Sequence, residues 1–205
     1  MTTIYIARHG QNEDNAEGIL NGHRDRPLTE LGIKQAHELA DGILAQGFMF
    51  DAIYTSPLVR AAKTAEIIAE RIGGPTPEIL APVIERDFGV MSGQLVADIE
   101  RLCAPDILKT DLVTYFLNPE GGETFPTVLE RASDALRDIH TKHPAGSVLV
   151  VTHGDLGKMM YASFYELPWQ DILTKFHFGN CELLQLIDGG DHNKSHVIRV
   201  EQFNH

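Results

Sequence analysis

Residues 147–154, SVLVVTHG, hold the most continuous apolar run in the chain and follow it with a histidine and a glycine. A short aliphatic, β-branched run of this kind is typical of a strand buried inside a sheet. Residues 3–10, TIYIARHG, repeat the arrangement near the beginning of the sequence, with Arg8 before His9. Two buried strands are therefore predicted to present a His-Gly pair at the same place, the carboxyl end of the strand.

Helical patterns alternate with short strands along the rest of the chain. The expected elements are, in order, a strand at Thr3–Ala7, a helix capped by Thr29, a strand at Asp51–Thr55, a helix opened by Ser56 and Pro57 and ended by Gly73, a helix around Leu95–Cys103, a helix at Phe125–Lys142, a strand at Ser147–Thr152, a helix from about Asp155, and strands at Glu182–Ile187 and Val197–Gln202. This alternation predicts an α/β fold, a three-layer α/β/α sandwich with a mostly parallel central sheet. Ligands bind such sheets beyond the carboxyl ends of the strands.

Length and composition narrow the class of protein. One domain, residues 1–205, is expected, with the Pro- and Gly-rich segment at about residues 86–123 as a cap-like insertion that shapes the site. The formal charge of −12 argues against nucleic acid as a partner. Because no secretory signal and no membrane-length apolar stretch is visible, a cytoplasmic protein without membrane contact is expected. The two cysteines, Cys103 and Cys181, are expected to be idle thiols.

Arginine and histidine side chains are predicted to converge at the carboxyl edge of the sheet. Arg8 and His9 follow the first strand, Arg60 lies one turn into the helix after the second, and His153 follows the strand near residue 150. Arginine forks match phosphate oxygens with paired, charge-assisted hydrogen bonds. These residues therefore indicate a phosphate pocket. The sequence contains neither a P-loop nor an HExxH motif, so no nucleotide loop, metal or cofactor is expected.

Several segments, in order, carry a family resemblance. They are Arg8-His9-Gly10, Asn15, Gly22, residues 27–32 (PLTELG), residues 54–65 (YTSPLVRAAKTA), residues 85–89 (ERDFG), residues 121–124 (GGET), residues 151–154 (VTHG) and residues 178–181 (FGNC). Together they resemble the phosphoglycerate mutase-like histidine phosphatase superfamily. The superfamily includes cofactor-dependent phosphoglycerate mutases, fructose-2,6-bisphosphatases and broad phosphomonoesterases.

The resemblance implies a role for each matching residue. His9 would be the nucleophile, and Glu85 would first protonate the leaving group and then activate water. The residues implied to bind the phosphoryl oxygens are Arg8, Arg60, His153 and Asn15, and candidates for the rim of the pocket are Gln11, Asn21 and Gly22. Taken singly, Arg60 would be expected on a solvated helix face, Glu85 in a surface ion pair with Arg86, and Asn15 in a turn. The ordered set of motifs favours the functional interpretation of each.

Departures from the mutase pattern favour hydrolysis. Mutases of the family carry further cations for a second phosphate and a carboxylate, whereas here Phe88 replaces a tyrosine and Lys109 is the only cation between Arg101 and Arg131. We therefore expect a metal-independent phosphatase branch member, a hydrolase acting on a small phosphorylated metabolite. A cofactor-dependent phosphoglycerate mutase is the alternative, and a non-catalytic phospho-ligand-binding module is a second one. Three late histidines are expected on the surface without a metal role, namely His192, His196 and His205.

Overall fold

The computed structural model describes residues 2–202, which form eight strands and seven α-helices. The strands are β1 (Thr2–Arg8), β2 (Ala52–Thr55), β3 (Glu78–Ile79), β4 (Ile107–Lys109), β5 (Thr114–Phe116), β6 (Gly146–Thr152), β7 (Leu183–Leu186) and β8 (His196–Ile198). The helices are α1 (Glu13–Glu17), α2 (Glu30–Ala45), α3 (Val59–Ile72), α4 (Ile99–Cys103), α5 (Phe125–Lys142), α6 (Gly154–Phe164) and α7 (Trp169–Lys175). His205 lies outside the described residues.

Six strands form the central sheet in the order β3-β2-β6-β1-β7-β8. The first four are mutually parallel, β7 pairs antiparallel with β1, and β8 pairs antiparallel with β7, so the sheet is mixed but mostly parallel. β1 and β6 pair from Thr2 opposite Gly146 to Arg8 opposite Thr152. Because the two strands end in register, the residues that follow them, His9 and His153, come out side by side.

Helices cover both faces of this sheet, which confirms the predicted three-layer α/β/α sandwich. Side chains alternate along β1: Ile4 and Ile6 pack in the layer that contains α5, α6 and α7, whereas Tyr5 and Ala7 pack against α2 and α3. All four side chains are buried. A strand that is covered on both faces has apolar residues at consecutive positions, because side chains on both sides are buried. This explains the composition of β1 and β6.

Local signals predicted some helix ends and missed another. Helix α5 spans the expected Phe125–Lys142, and the Thr29 side chain accepts a hydrogen bond from Gly32 N at the start of α2. The predicted N-cap at Ser56 is wrong, because α3 begins at Val59. Its first free N–H, on Val59, instead donates to the Asp25 carboxylate from a distant loop at 2.7 Å. A capping partner supplied by tertiary structure is invisible to local sequence rules.

The loop after β1 is fixed against the beginning of α2 by contact between two backbones. A Cβ on Gly32 would lie 1.9 Å from Gln11 O, and a Cβ on Gly10 would lie 2.4 Å from Gly32 O. Only glycine permits this approach, since any side chain would overlap backbone atoms. The two glycines therefore hold the residue between strand and loop, His9, in a defined position.

Residues 86–123 form several short elements, whereas the sequence predicted a single helix in this segment. Residues 96–98 form a 3₁₀ turn, and the α-helix proper is the short α4. Strands β4 and β5 form a separate two-stranded hairpin that sequence analysis did not predict. Part of the segment packs in a small cluster that includes Phe88, Ile99 and Phe116, whereas Leu112 is exposed.

Candidate active site

A pocket of about 190 Å³ opens at the carboxyl ends of β1 and β6. Its walls come from the loop after β1, helix α3, residues 86–123, the beginning of α6 and the segment before β7. The residues that line it are Arg8, His9, Asn15, Ile19, Leu20, Asn21, Arg60, Glu85, Phe88, Val96, Val113, Tyr115, Gly154, Asp155, Lys158, His177 and Phe178. Six of the nine predicted site residues line this wall, namely Arg8, His9, Asn15, Asn21, Arg60 and Glu85.

His9 is a buried imidazole whose two nitrogens have different partners. Its Nδ1 lies 2.7 Å from Gly10 O, so Nδ1 carries the hydrogen and donates to this carbonyl. Its Nε2 accepts a hydrogen bond from Arg60 Nε at 3.2 Å. Burial, followed by the charges of Arg60 and Arg8, holds the pKa of His9 well below 6.5. The ring is therefore neutral at pH 7, with the lone pair on Nε2.

Arg60 and Arg8 place two cations in the pocket, and neither has a carboxylate partner among residues 2–202. Arg60 is fully buried, and its terminal nitrogens donate to Arg24 O at 2.6 Å and Gly22 O at 2.9 Å. Arg8 donates from Nη1 to Phe178 O at 2.7 Å, while its Nε is buried without a partner in the described chain. Burial lowers the pKa of both groups, that of Arg60 to about 10, and both remain charged at neutral pH.

His153 lies directly beside His9, with the ring centroids 5.1 Å apart. Its Nε2 is 2.7 Å from Ser56 Oγ, and its Nδ1 is buried with no partner in residues 2–202. Ser56 Oγ also accepts from Leu58 N at 3.3 Å, so its own hydrogen can donate to Nε2 of His153. This arrangement leaves the imidazole hydrogen on Nδ1. Ser56 thus orients a histidine rather than capping a helix.

Glu85 is buried at the N-terminus of α6. One carboxylate oxygen accepts from Arg86 N at 2.8 Å and Leu156 N at 3.1 Å, and the other accepts from Asp155 N at 3.3 Å. Burial raises the pKa of Glu85, and the neighbouring charge of Asp155 raises it further, against the opposing effect of the backbone donors. Glu85 is thus disposed to hold a proton in the pocket.

Two arginines with carboxylate partners support the Glu85 segment from behind. Arg86 is buried, pairs with Asp155 at 2.8 Å, and lies over the rings of Phe88, Phe116 and Phe125. The expected surface ion pair between Glu85 and Arg86 is absent from the described contacts, since Arg86 pairs with Asp155.

Arg131 forms the second support. It donates to both oxygens of Glu123, at 2.7 and 3.0 Å, and to the carbonyls of Pro82, Ile84 and Glu85. This ion pair, with further lowering by the bonded Asp87 N, holds the pKa of Glu123 below its ordinary value although burial opposes it.

The remaining predicted residues divide between the pocket wall and its support. Asn15 lies in α1 rather than in a turn, and both Asn15 and Asn21 line the pocket. Gln11 accepts from Thr29 Oγ1 at 2.8 Å and lies outside the described wall. Gly22, with φ of +51°, also lies outside it and supplies the carbonyl that holds Arg60.

Four residues of this region carried no predicted role. Asn180 donates to His9 O at 2.8 Å, Asp155 and Tyr115 line the pocket, and Lys158 does so from one turn further along α6. The motif of residues 178–181 could have indicated Asn180. Nothing local marked the other three, because a distant hairpin and the Arg86 pair define their surroundings.

The late histidines do not form a metal site in the described chain. Within residues 2–202, no three His, Cys, Asp or Glu side chains lie close enough together to hold a metal ion. The surface prediction is wrong for His196, whose side chain is 12% exposed and packs on Phe176 with ring centroids 4.6 Å apart. His192 is half-buried. No helix in the described residues is both long and apolar enough to cross a membrane.

Residues 4–200 match the family model described as histidine phosphatase superfamily (branch 1). The chain belongs to this superfamily. A relative named 2,3-bisphosphoglycerate-dependent phosphoglycerate mutase, from Parvibaculum lavamentivorans, is 31% identical over 97% of this chain and 94% of its own. Membership of the histidine phosphatase superfamily confirms the resemblance inferred from the sequence motifs.

Solved structures of phosphatases share the fold. The mycobacterial glucosyl-3-phosphoglycerate phosphatase complexed with VO₃ has a TM-score of 0.76, at 25% identity over 89% of this chain and 90% of its own. A phosphoserine phosphatase mutant from Entamoeba histolytica, in complex with phosphoserine, has a TM-score of 0.72 at 26% identity over 90% of both chains. This histidine phosphatase superfamily member is an enzyme that acts on phosphate esters, and the non-catalytic alternative is set aside.

Proposed function

We propose that the protein is a phosphomonoester hydrolase that forms a phosphohistidine on His9. The observation that carries the proposal is the state of the His9 ring. Its Nδ1–H is committed to Gly10 O, which leaves a neutral, buried imidazole with its Nε2 lone pair beside the Arg60 guanidinium. A nucleophilic nitrogen held next to a cation that attracts phosphate is what in-line attack on phosphorus requires.

In the first step, Nε2 of His9 gives up its hydrogen bond with Arg60 and forms a bond to phosphorus. The bond between phosphorus and the ester oxygen breaks, and Glu85 gives its proton to the departing alkoxide. Burial raises the pKa of Glu85, which favours the protonated carboxyl that this step requires. In the second step, the Glu85 carboxylate takes a proton from water, whose oxygen attacks phosphorus and releases inorganic phosphate from His9.

Charge on the transferred phosphoryl group is stabilised by the donors that surround His9. Arg8 Nε and His153 Nδ1 are buried without partners in the described chain, and Arg60 lies at the nucleophile. We assign the phosphoryl oxygens to these three groups, with Asn15 from α1 beside them. Such donors stabilise a loose transition state most when they are already in place. None of these steps uses a metal or a cofactor.

Residues 86–123 would act as the cap over this site and receive the leaving group. The segment contributes Phe88, Val96, Val113 and Tyr115 to the pocket wall. We propose a small phosphorylated metabolite as the substrate, because the similar structures are named as phosphatases and one holds phosphoserine.

Mutase activity is the second candidate, since relatives 31% to 35% identical are named phosphoglycerate mutases. Reorienting a bisphosphate requires several cations around its second phosphate. The one cation between Arg101 and Arg131, Lys109, is exposed and pairs with Glu100 at 2.9 Å. Within the described residues, the part of segment 86–123 that lines the pocket therefore supplies no cation, which favours hydrolysis.

Phosphorus NMR time courses in EDTA test the proposal. Wild type, His9→Ala and the control His37→Ala, at an exposed helix position, would be compared on a panel of phosphomonoesters. The panel includes 3-phosphoglycerate with catalytic 2,3-bisphosphoglycerate. We expect inorganic phosphate from wild type and His37→Ala only. Accumulation of 2-phosphoglycerate would establish the mutase instead, and equal turnover by His9→Ala would overturn the proposed nucleophile.

A denaturing quench tests the intermediate itself. Wild-type protein stopped during turnover should carry an alkali-stable, acid-labile phosphoryl group on the tryptic peptide that contains His9. Its absence at every quench time, in a protein that releases phosphate, would indicate direct attack by water.

A further inference from the structure

Lys158 is a buried cation that the proposed chemistry does not use. Its side chain is 2% exposed, lies in α6 and lines the pocket one turn after Asp155. Its ammonium lies 2.5 Å from Tyr115 Oη and 3.4 Å from Leu173 O. Among residues 2–202 it forms no ion pair within 4 Å. Burial lowers the pKa of Lys158 to about 8, and the more distant charges of Asp155 and Glu182 only partly oppose this.

An unpaired ammonium in this position is costly to the folded protein. Removing a cation from water costs several kcal/mol unless an anion or a full set of hydrogen bonds replaces the solvent. The faces of Tyr115 and Phe176, with centroids 5.0 and 5.4 Å from Nζ, offset part of this cost. An ammonium has three donors, and the described contacts use two of them. Lys158 thus retains the capacity to bind an anion.

A second chamber lies next to the phosphate pocket on the side of Lys158. It measures about 330 Å³ and lies between the β4–β5 hairpin and the segment from the end of α7 to His177. Val113, Tyr115 and His177 line both spaces, so the chamber adjoins the pocket. Tyr115, the hydrogen-bond partner of Lys158, stands at this junction.

The charges of the pocket leave Lys158 without a counterpart. Arg8 and Arg60 match the two negative charges of a phosphoryl dianion, and Asp155 is paired with Arg86. Burial lowers the pKa of His177 to about 4, so this residue adds no charge at neutral pH. Glu85 holds its proton at the start of the proposed reaction, so one positive charge of the pocket lining remains, that of Lys158 beside the junction of the two spaces.

We propose that Lys158 binds a second anionic group, a carboxylate or a phosphate, carried by the leaving group of the substrate. The inference rests on the proposed phosphatase function and specifies its substrate class, which is phosphomonoesters of acids rather than of neutral alcohols. Lys158 is then the residue that determines specificity, and the second chamber holds the remainder of the leaving group.

Matched substrate pairs test this role. 3-Phosphoglycerate is compared with glycerol 3-phosphate, and glucose 1,6-bisphosphate with glucose 6-phosphate, which distinguishes a carboxylate from a phosphate. In wild type the kcat/KM ratio within at least one pair should favour the anionic member. Lys158→Met should lower that ratio by about 10-fold or more, the value of a charge-assisted hydrogen bond. A merely structural role would lower both members together and leave the ratio unchanged.

Lys34→Met is the matched control, because it removes the same charge from an exposed position on α2 that lines neither the pocket nor the second chamber. Its ratio should change less than about twofold, since solvent screens an exposed charge. An equal loss of the ratio in Lys34→Met and Lys158→Met, or no loss in Lys158→Met, would overturn the assignment.

Calorimetric binding to His9→Ala separates this inference from the proposed function. If 3-phosphoglycerate or glucose 1,6-bisphosphate binds His9→Ala more tightly than its partner and the added Lys158→Met removes the difference, the anion site stands even if wild type releases no phosphate. Release of phosphate with unchanged ratios would refute the site and leave the phosphatase intact. Absence of both binding and turnover for both pairs would overturn both.

A pH series on wild type covers the case in which Lys158→Met fails to fold. The charged and titratable groups around Lys158 are Arg8, Tyr115, Asp155, His177 and Glu182. Burial moves the pKa of Tyr115 upward and that of His177 to about 4, so neither titrates near pH 8. The preference for the anionic substrate should fall as the pH rises through about 8, because Lys158 loses its charge there. A preference constant from pH 7 to 9 would contradict the proposal.

Discussion

Two pairs of arginines lie on either side of Glu85, and they differ in what they contact. Arg8 and Arg60 have backbone carbonyls and His9 as partners, with no carboxylate within ion-pair distance in the described chain. Arg86 and Arg131 are paired with Asp155 and Glu123. All four side chains are buried or mostly buried.

The difference indicates where the protein uses its own anions and where it relies on a ligand. A buried cation with a carboxylate partner stabilises the fold around it, and removing the partner is costly. A buried cation without one is a cost to the free protein that a bound phosphate offsets. The first kind supports the Glu85 segment, and the second kind faces the pocket.

Arg8→Met gives the largest expected effect. The substitution removes a phosphoryl donor, and kcat/KM should fall about 1000-fold, the scale of a lost transition-state donor. The free energy of unfolding in urea should change by less than about 1 kcal/mol, because an apolar side chain of similar length replaces an unpaired cation. A loss of several kcal/mol would show that Arg8 supports the fold, and the contrast between the two pairs would not hold.

Glu85→Gln tests the group between the pairs. An alkyl phosphate needs a proton on its leaving oxygen, whereas 4-nitrophenolate leaves unaided. We expect kcat/KM for the alkyl ester to fall about 100-fold more than that for 4-nitrophenyl phosphate, within the usual range for general acid catalysis. In wild type, alkyl ester hydrolysis should decline as the pH rises through the raised pKa of Glu85, and this alkaline limb should vanish in the variant. Equal losses on both esters would exclude Glu85 as the proton donor.

Arg131→Met should mainly affect stability. It removes the ion pair with Glu123 and leaves three carbonyls without their donor, at a cost of about 3 kcal/mol in the free energy of unfolding. Chemical denaturation of Arg131→Met beside Arg137→Met provides the measurement, because Arg137 forms an exposed pair with Asp134. Arg137→Met should cost less than about 1 kcal/mol. Similar values for the two variants would contradict the supporting role of Arg131.

The smallest expected effect is the pH dependence of the difference in the free energy of unfolding between wild type and Arg131→Met. The pKa of Glu123 is lower in the folded protein than in the unfolded chain, so its ion pair adds stability at pH values above the ordinary glutamate pKa. The stability gap between wild type and Arg131→Met should therefore narrow as the pH falls below about 4.3. A gap independent of pH between 3 and 7 would show that the hydrogen bonds to carbonyls, rather than the charge pair, account for the difference.

The sequence predicted those features that depend on local pattern. Apolar runs and capping residues located β1, β6, α2 and α5, and the parallel strands brought Arg8, His9 and His153 to one edge. The burial of Arg60 was beyond such reasoning, since its helix shows only that one face is apolar. Lys158 was missed because its partner Tyr115 belongs to the β4–β5 hairpin. The strands of this hairpin are too short to give a recognisable sequence pattern. The surface prediction for His196 was wrong because a tertiary contact, its packing on Phe176, buries the ring.

His9 is held in place by residues from the far end of the sequence. Asn180 donates to His9 O across 171 positions, Phe178 O accepts from Arg8 across 170, and Cys181 N donates to Arg8 O. During synthesis none of these contacts can form before residues 178–181 have left the ribosome, and β1 must wait for β6 and β7, the strands with which it pairs. An incomplete translation product that ends before residue 178 therefore lacks the contacts that fix the geometry around His9 and Arg8.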